Sequence, residues 1–426
     1  MTIIRRLFIL SWFVILLAGC APAPNNSNTT VSTSTQPSPS PSVSPSPTTT
    51  TDTASIQITL PLLDALLTDD KFVARVKQDV KLSENEIDQL KRVSSADIAR
   101  LREANAEEGE GGDGNPRERA EQELRTILGE QKARDLARVA NDYWSKGDPS
   151  EASGDGVEML KGPNAVPTDT RVVVNIPAYR MDVFQNGSLV KSYKVGIGYP
   201  EFPLPLGMRK AQQIIFNPTW TPPDSPWVAK MKNVTPGETV EPGDKDNPLG
   251  PIKIPIGLPS LIHGGKPPAK IGKFASHGCV GLTNAQIKDF AALLAQASNT
   301  QDVSSKIDTY LADKEKTQAV KLNQTVPVEL RYETIVLEDG KLHIYRDVYA
   351  QETNTEENLR SVLEANALKL EDLPQRTEIL KALNSKPKKE VVIDLGSVAQ
   401  KGYPAPVDLD TGTTDKKRGS KARITS

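Results

Sequence analysis

The chain has 426 residues, 33 prolines, 5% aromatic side chains and a formal net charge of −2. A balance of 52 basic against 54 acidic residues leaves no electrostatic footprint for nucleic acid, and scarce aromatics imply an aliphatic core of moderate size. The length predicts two or more domains.

In chain order, residues 1–19 read as an export signal peptide. Arg5 and Arg6 give a positive start, and Leu7 to Leu17 form an apolar core too short to span a bilayer. The segment ends Leu17-Ala18-Gly19-Cys20, which resembles the lipobox of bacterial lipoproteins. That resemblance implies a lipidated Cys20 and a membrane anchor. With Ala21 next rather than Asp, it implies the periplasmic face of the outer membrane where a cell has one. Several acyl chains at about 0.8 kcal/mol per buried methylene give a stable hold where one does not. Residues 20–55 continue as Pro, Ser, Thr and Asn, which cannot bury apolar surface. They are expected as a disordered tether that reaches roughly 100 Å when extended.

Residues 56–150 carry helical periodicity and predict a small helical domain without chemistry of its own. Ser83-Glu84-Asn85-Glu86 reads as a capping box ahead of Ile87, Leu90 and Val93, with Ile98 and Leu101 continuing the pattern. A glycine-rich run at 109–114 interrupts it, and Asn115-Pro116 restarts it with a stripe of Leu124, Leu128, Leu136 and Val139.

From Thr170 the rhythm becomes that of strands. Arg171 to Ile176 is one, and Met181–Gln185 with Leu189–Val195 flank the hairpin signal Asn186-Gly187. Ile214–Phe216, Ile252–Ile254 and Leu261–His263 follow among Pro-rich loops. Thr283-Asn284-Ala285-Gln286 caps a helix whose Ile287, Phe290, Ala291 and Leu294 share a face. Val328–Leu337 and Leu342–Tyr345, around Glu338-Asp339-Gly340, read as a closing hairpin. The expected class is α+β, with a mixed β-sandwich or curled sheet over 168–350. A mixed extension follows over 351–405, and a basic disordered tail with Lys416, Lys417, Arg418, Lys421 and Arg423 over 406–426.

Chemistry concentrates in one stretch. His263 and Cys279 are sixteen residues apart, in Leu261-Ile262-His263-Gly264-Gly265 and Ser276-His277-Gly278-Cys279-Val280. Two of the three histidines and the one thiol not assigned to export thus fall together, as nucleophilic thiol catalysis requires. A free thiol is mostly protonated at neutral pH, so a nearby imidazole is needed to make the nucleophile. Gly278 lets the backbone bend so that the amides of Gly278 and Cys279 can face an oxyanion. His263, His277 and Cys279 also offer three potential zinc ligands, but with no fourth and no CxxC spacing. His343 is most simply a strand surface residue.

These residues resemble the YkuD-type L,D-transpeptidases of peptidoglycan. The likeness runs over roughly 168–350 and rests on the 171–195 hairpin with Val195-Gly196-Ile197-Gly198. It rests further on Asn217-Pro218-Thr219-Trp220-Thr221-Pro222-Pro223, His263-Gly264, and Ser276 to Val280 with Asn284. The resemblance implies a β-sandwich with Cys279 as nucleophile and His263 as proton acceptor and donor, Ser276, His277 and Gly278 shaping the loop, and no metal or cofactor. Trp220 and Trp227, in the Pro-rich loops, are read either as lining the substrate cleft or as ordinary packing, and Trp220 and Asn284 are the candidate substrate-binding residues. The donor would be a tetrapeptide stem cut after its third residue and the acceptor a side-chain amine, giving a 3→3 cross-link or a stem-linked protein. Many members carry Arg two residues after the nucleophile where this chain has Gly281, which bears on substrate range. Lys266, Lys270 and Lys273 are the nearby cations, poorer than Arg as bidentate partners. Two other readings remain. One is an L,D-carboxypeptidase or endopeptidase, in which water resolves the thioester. The other is a catalytically weak wall-binding lipoprotein.

Overall fold

A computed structural model describes residues 58–104, 115–146, 158–223, 228, 231–257, 260–300, 302–396 and 402–413. The export signal, Cys20, the whole 20–55 tether, Trp227 and the basic end of the tail lie outside the described residues. No described helix is long and apolar enough to cross a membrane.

The first segment is helical because its apolar residues recur at helical spacing and its ends are capped. Helix α1 (Leu60–Leu67) starts at Thr59, whose side chain accepts the Leu62 amide, and α2 (Asp70–Asp79) starts at Asp69 in the same way. The box at Ser83 is present: Glu86 takes the Ser83 amide at 2.7 Å and Ser83 Oγ takes the Glu86 amide at 3.3 Å, opening α3 (Glu84–Ala104). Helix α4 (Pro116–Lys146) turns at Gly129, where φ of +75° ends one helical run and begins another. The four helices bury one core containing Leu63, Phe72, Leu90, Leu124 and Leu136.

The strand-rich part begins with β1 (Arg171–Asn175), β2 (Arg180–Gln185) and β3 (Ser188–Lys194). Then come β4 (Ile197–Gly198), β5 (Gly207–Phe216), β6 (Ile252–Pro255) and β7 (Leu261–His263). The set continues with β8 (Phe274–Ser276), β9 (Val280–Gly281), α5 (Asn284–Ala297), α6 (Asp302–Ala312) and β10 (Gln318–Arg331). Among the described residues, eight of these strands form one curled mixed sheet in the order β3-β2-β1-β10-β5-β6-β7-β9. The pairs β1/β10 and β7/β9 are parallel and the others antiparallel. Short β4 and β8 pair separately. One aliphatic core joins this sheet to α5 and α6 through Ile214, Phe216, Ile262, Ile287, Phe290 and Ile307.

Three features differ from the sequence expectation. Helix α6, whose only buried residues are Val303 and Ile307, was not anticipated, because its apolar face is too sparse to stand out. The hairpin of β11 (Ile335–Glu338) and β12 (Lys341–Ile344) does not close the eight-stranded sheet. It pairs instead with β13 (Val391–Asp394) and shares a core with α7 (Glu356–Ala365) and α8 (Arg376–Asn384). Val328 to Arg331, read as part of that hairpin, end the long β10. Finally, 406–413 are not a free tail. Val407 and Asp410 accept the Ser192 and Lys194 amides at 2.9 Å each, and Asp410 donates to Ser192. β3 is an edge strand, and this segment satisfies backbone groups the sheet leaves open.

The helical segment is tied to the strand-rich body at one turn. Thr59 Oγ1 donates to the Glu201 carbonyl at 2.8 Å, and Arg119 forks onto the Glu201 carboxylate at 2.8 and 3.0 Å. Glu201 is buried, so this pairing is shielded from solvent.

Candidate active site

Register brings the two halves of the site together. Strands β7 and β9 run parallel with Ile262 opposite Val280 and His263 opposite Gly281. Cys279, one residue ahead of β9, therefore falls beside Leu261. His263 and Cys279 line one cavity of about 550 Å³, together with Tyr199, Trp220, Leu249, Lys253, Lys266 and Ser276.

The loop holding the thiol is shaped by its own backbone. Gly278 has φ of +92°, a region that favours glycine, so the chain can turn sharply just before the cysteine. Ser276 Oγ donates to the Cys279 carbonyl and accepts the Cys279 amide at 3.1 Å. The Cys279 amide is thus committed to Ser276, and the expected oxyanion pair of Gly278 and Cys279 is not assembled in this state. A serine three residues from the turn competes for the same donor. His277 packs edge-on against Phe202 at 4.7 Å between ring centroids and against Tyr199 at 5.4 Å, so its ring braces the loop.

His263 is buried, and its Nδ1 lies 2.7 Å from the Gly264 carbonyl. A carbonyl can only accept, so Nδ1 carries the proton and Nε2 keeps a lone pair. Burial first, then the Lys266 charge, push the imidazole down to about 3. Burial pushes the Cys279 thiol up, opposed by the Leu261 backbone and the Lys266 ammonium. Both groups are therefore neutral near pH 7, a thiol and an imidazole rather than a thiolate and an imidazolium. Among the described residues no hydrogen bond joins them; such contacts are often long before substrate arrives.

Asn284 does not stand where the sequence suggested. Its Oδ1 accepts the Gly265 amide at 2.7 Å, so it fixes the turn after His263 instead of facing the cavity. Thr283 and Gln286 form the helix cap beside it, with the Gln286 amide 3.2 Å from Thr283 Oγ1 and the Thr283 amide 3.0 Å from Gln286 Oε1. Trp220 does line the cavity. It is set there by Asn217, whose Nδ2 donates to the Tyr310 and Asp313 carbonyls at 2.8 Å each.

The three lysines separate. Lys270 donates to the Tyr199 hydroxyl at 3.0 Å and lies over that ring, while exposed Lys273 is absent from the cavity wall. Lys266 lines the cavity, and its stem lies across Gly281: a Cβ added there would meet Lys266 Cγ at 2.7 Å and Cε at 3.0 Å. The space a side chain at 281 would occupy is thus filled by Lys266. Lys253 and Leu249 are wall residues that sequence reasoning missed. Lys253 reads as an ordinary strand position, and only the bond from its Nζ to the Thr219 carbonyl at 3.1 Å reveals the fold-back. His343, on β12, pairs with Glu390 at 2.7 Å, on a strand whose Leu342 and Ile344 belong to another core.

A curled mixed sheet thus brings a thiol, one residue ahead of β9, and an imidazole at the end of β7 to one cavity. Residues 169–317 match the family model of the L,D-transpeptidase catalytic domain, YkuD. That stretch, under half of the chain, carries the likeness to the YkuD-type family. It is 32% identical over 119 residues to the Probable L,D-transpeptidase YbiS of Escherichia coli strain K12, covering 28% of this chain and 39% of that protein. The chain therefore spans about two fifths of that curated relative's length. Among solved structures, it is similar to the catalytic domain of the E. faecium L,D-transpeptidase at 16% identity and a TM-score of 0.26, covering 39% of this chain and 100% of that one. An L,D-transpeptidase from Mycobacterium smegmatis aligns at 15% identity and a TM-score of 0.23, over 38% and 58%.

Proposed function

We propose that this protein is an L,D-transpeptidase that joins peptidoglycan stem peptides through a thioester on Cys279. The observation that carries the reading is the β7/β9 register, which sets His263 and Cys279 on one cavity. Cys279 Sγ attacks the carbonyl after the third residue of a tetrapeptide stem while its proton passes to His263 Nε2. The neutral starting pair favours transfer of the proton during attack over a preformed ion pair. The Gly278 amide, and that of Cys279 once Ser276 releases it, are the loop's donors to the oxyanion. Collapse breaks the peptide bond, and the departing D-Ala amine takes the proton back from His263. A second stem's side-chain amine then attacks the thioester and gives up a proton, and the sulfur leaves as the thiol. The product is a 3→3 cross-link or a stem-linked protein.

The test is intact-protein mass spectrometry with a defined tetrapeptide. The parent should gain the mass of the tripeptide acyl group, and Cys279→Ala should gain none while keeping its circular dichroism. An adduct on the alanine variant would sink the reading. Addition of an acceptor stem should yield dimer, whereas free tripeptide alone would indicate the hydrolytic alternative.

The same proposal places the enzyme in the bacterial envelope, held by lipid on Cys20 at the end of the Leu17-Ala18-Gly19-Cys20 segment. Cys20→Ser should move the protein from the membrane to the soluble fraction of fractionated cells. Retention in the membrane would remove the anchor.

A further inference from the structure

A second cavity, of about 700 Å³, borders the cysteine loop at His277 and Gly278. His277 is in the walls of both cavities, and Gly278, next to the thiol, borders the second. The remaining wall comes largely from outside the residues matched to the family. Asp64 and Ala65 of α1, Asp70 of α2, Lys91 of α3 and Trp144 of α4 face Phe202 and Pro203 across it. The wall is built, because Arg119 and Thr59 hold Glu201, and the next residue, Phe202, packs against His277.

The two cavities differ in charge. The first is lined by Lys253 and Lys266 and carries no carboxylate, which suits a donor peptide bearing carboxylates. The second carries two carboxylates, Asp64 and Asp70, against one ammonium, Lys91, with the rings of Trp144 and Phe202 beside them. That combination suits a chain with an apolar stem and a primary ammonium group at its end.

We infer that the N-terminal helical domain forms the acceptor site of this enzyme, a chamber that binds an amine-bearing peptide and delivers it to the cysteine loop across His277 and Gly278. The inference rests on the transpeptidase reading above. An acceptor held there reaches the thioester past His277 and Gly278, from a chamber other than the donor's, and the filled chamber keeps water from taking its place. The choice between transfer and hydrolysis is then set by the helices and not by the catalytic pair.

The experiment uses the full-length enzyme acylated with tetrapeptide and then given Nα-acetyl-lysinamide, with the ratio of amide product to free tripeptide as readout. Ala65 is exposed on α1, so Ala65→Trp fills the chamber without entering a core. It should lower that ratio about tenfold or more, while Asp64→Lys should raise the half-saturating acceptor concentration by about tenfold. Hydroxylamine, small and uncharged at neutral pH, should resolve the thioester of both variants at the parental rate. Parental ratios and parental acceptor saturation in both variants would overturn the acceptor chamber, as would equal slowing towards hydroxylamine. A parent that never forms the acyl-enzyme would instead overturn the transpeptidase reading, so the two failures are distinct.

Discussion

Buried ionisable groups are treated in opposite ways at the two ends of the sheet. On β1 and β10, Glu329 accepts from Arg171 at 2.6 Å and from Arg331 at 3.0 Å, and Arg171 is also held by Asp169 at 2.6 Å. On β2, Arg180 bridges Asp182 and Glu338, and Ser192 donates to Asp182 at 2.6 Å. Each charge there has a fixed counter-charge, and those networks tie distant segments of the chain. At the β7/β9 end, buried His263 and half-buried Cys279 have no ionic partner among the described residues, and the Lys266 charge opposes protonation of both. Paired burial locks a charge in place; unpaired burial keeps a group neutral and free to exchange a proton when substrate arrives.

The largest effect expected from breaking the comparison is at the paired end. Glu329→Gln removes the carboxylate between two buried guanidinium groups and leaves both undercompensated. Urea denaturation should register a loss of about 3–5 kcal/mol, the usual result when one partner of a buried pair is deleted. A midpoint shift within error of the parent would mean that the network contributes nothing to stability, and the contrast would fail.

Much of this arrangement could be read before any coordinates. Cys279, His263 and the Asn186-Gly187 turn announce themselves by contiguous residues whose chemistry or backbone preference is local; Asn186 and Gly187 do take φ of +49° and +79°. The capping boxes at Ser83 and Thr283 are equally local, each a bond across three residues. What stayed hidden depends on contacts across the chain. Asn284 reaches the Gly265 amide 19 residues away, and Glu201 meets Arg119 at a separation of 82. Helical periodicity in the first domain marks the buried stripe of Leu63, Leu90 and Leu124, yet is silent on which exposed residues border a neighbouring cavity. The 406–413 segment misled for the same reason: its polar, Pro-containing sequence carries no sign that an open edge of β3 awaits it.

The unpaired end can be sharpened by titration, with a smaller effect. If His263 is the proposed base and stays neutral down to about 3, acylation should show no acid limb near the ordinary histidine value of about 6.5. The rate of tripeptide adduct formation should be level from about pH 5 to about pH 8, because the imidazole is already deprotonated and the raised thiol still protonated across that window. Lys266→Met then removes the positive charge that holds both groups down. Loss of a nearby cation favours the protonated imidazole and disfavours the thiolate, so both titrations move upward and the whole profile shifts to higher pH. On the acid limb the variant should acylate more slowly than the parent, and at pH 8 the difference should vanish. A parental limb near 6.5 would mean that the imidazole is solvated or paired when it works. A shift of the variant profile towards acid would show that Lys266 acts on the donor's carboxylates and not on the catalytic pair.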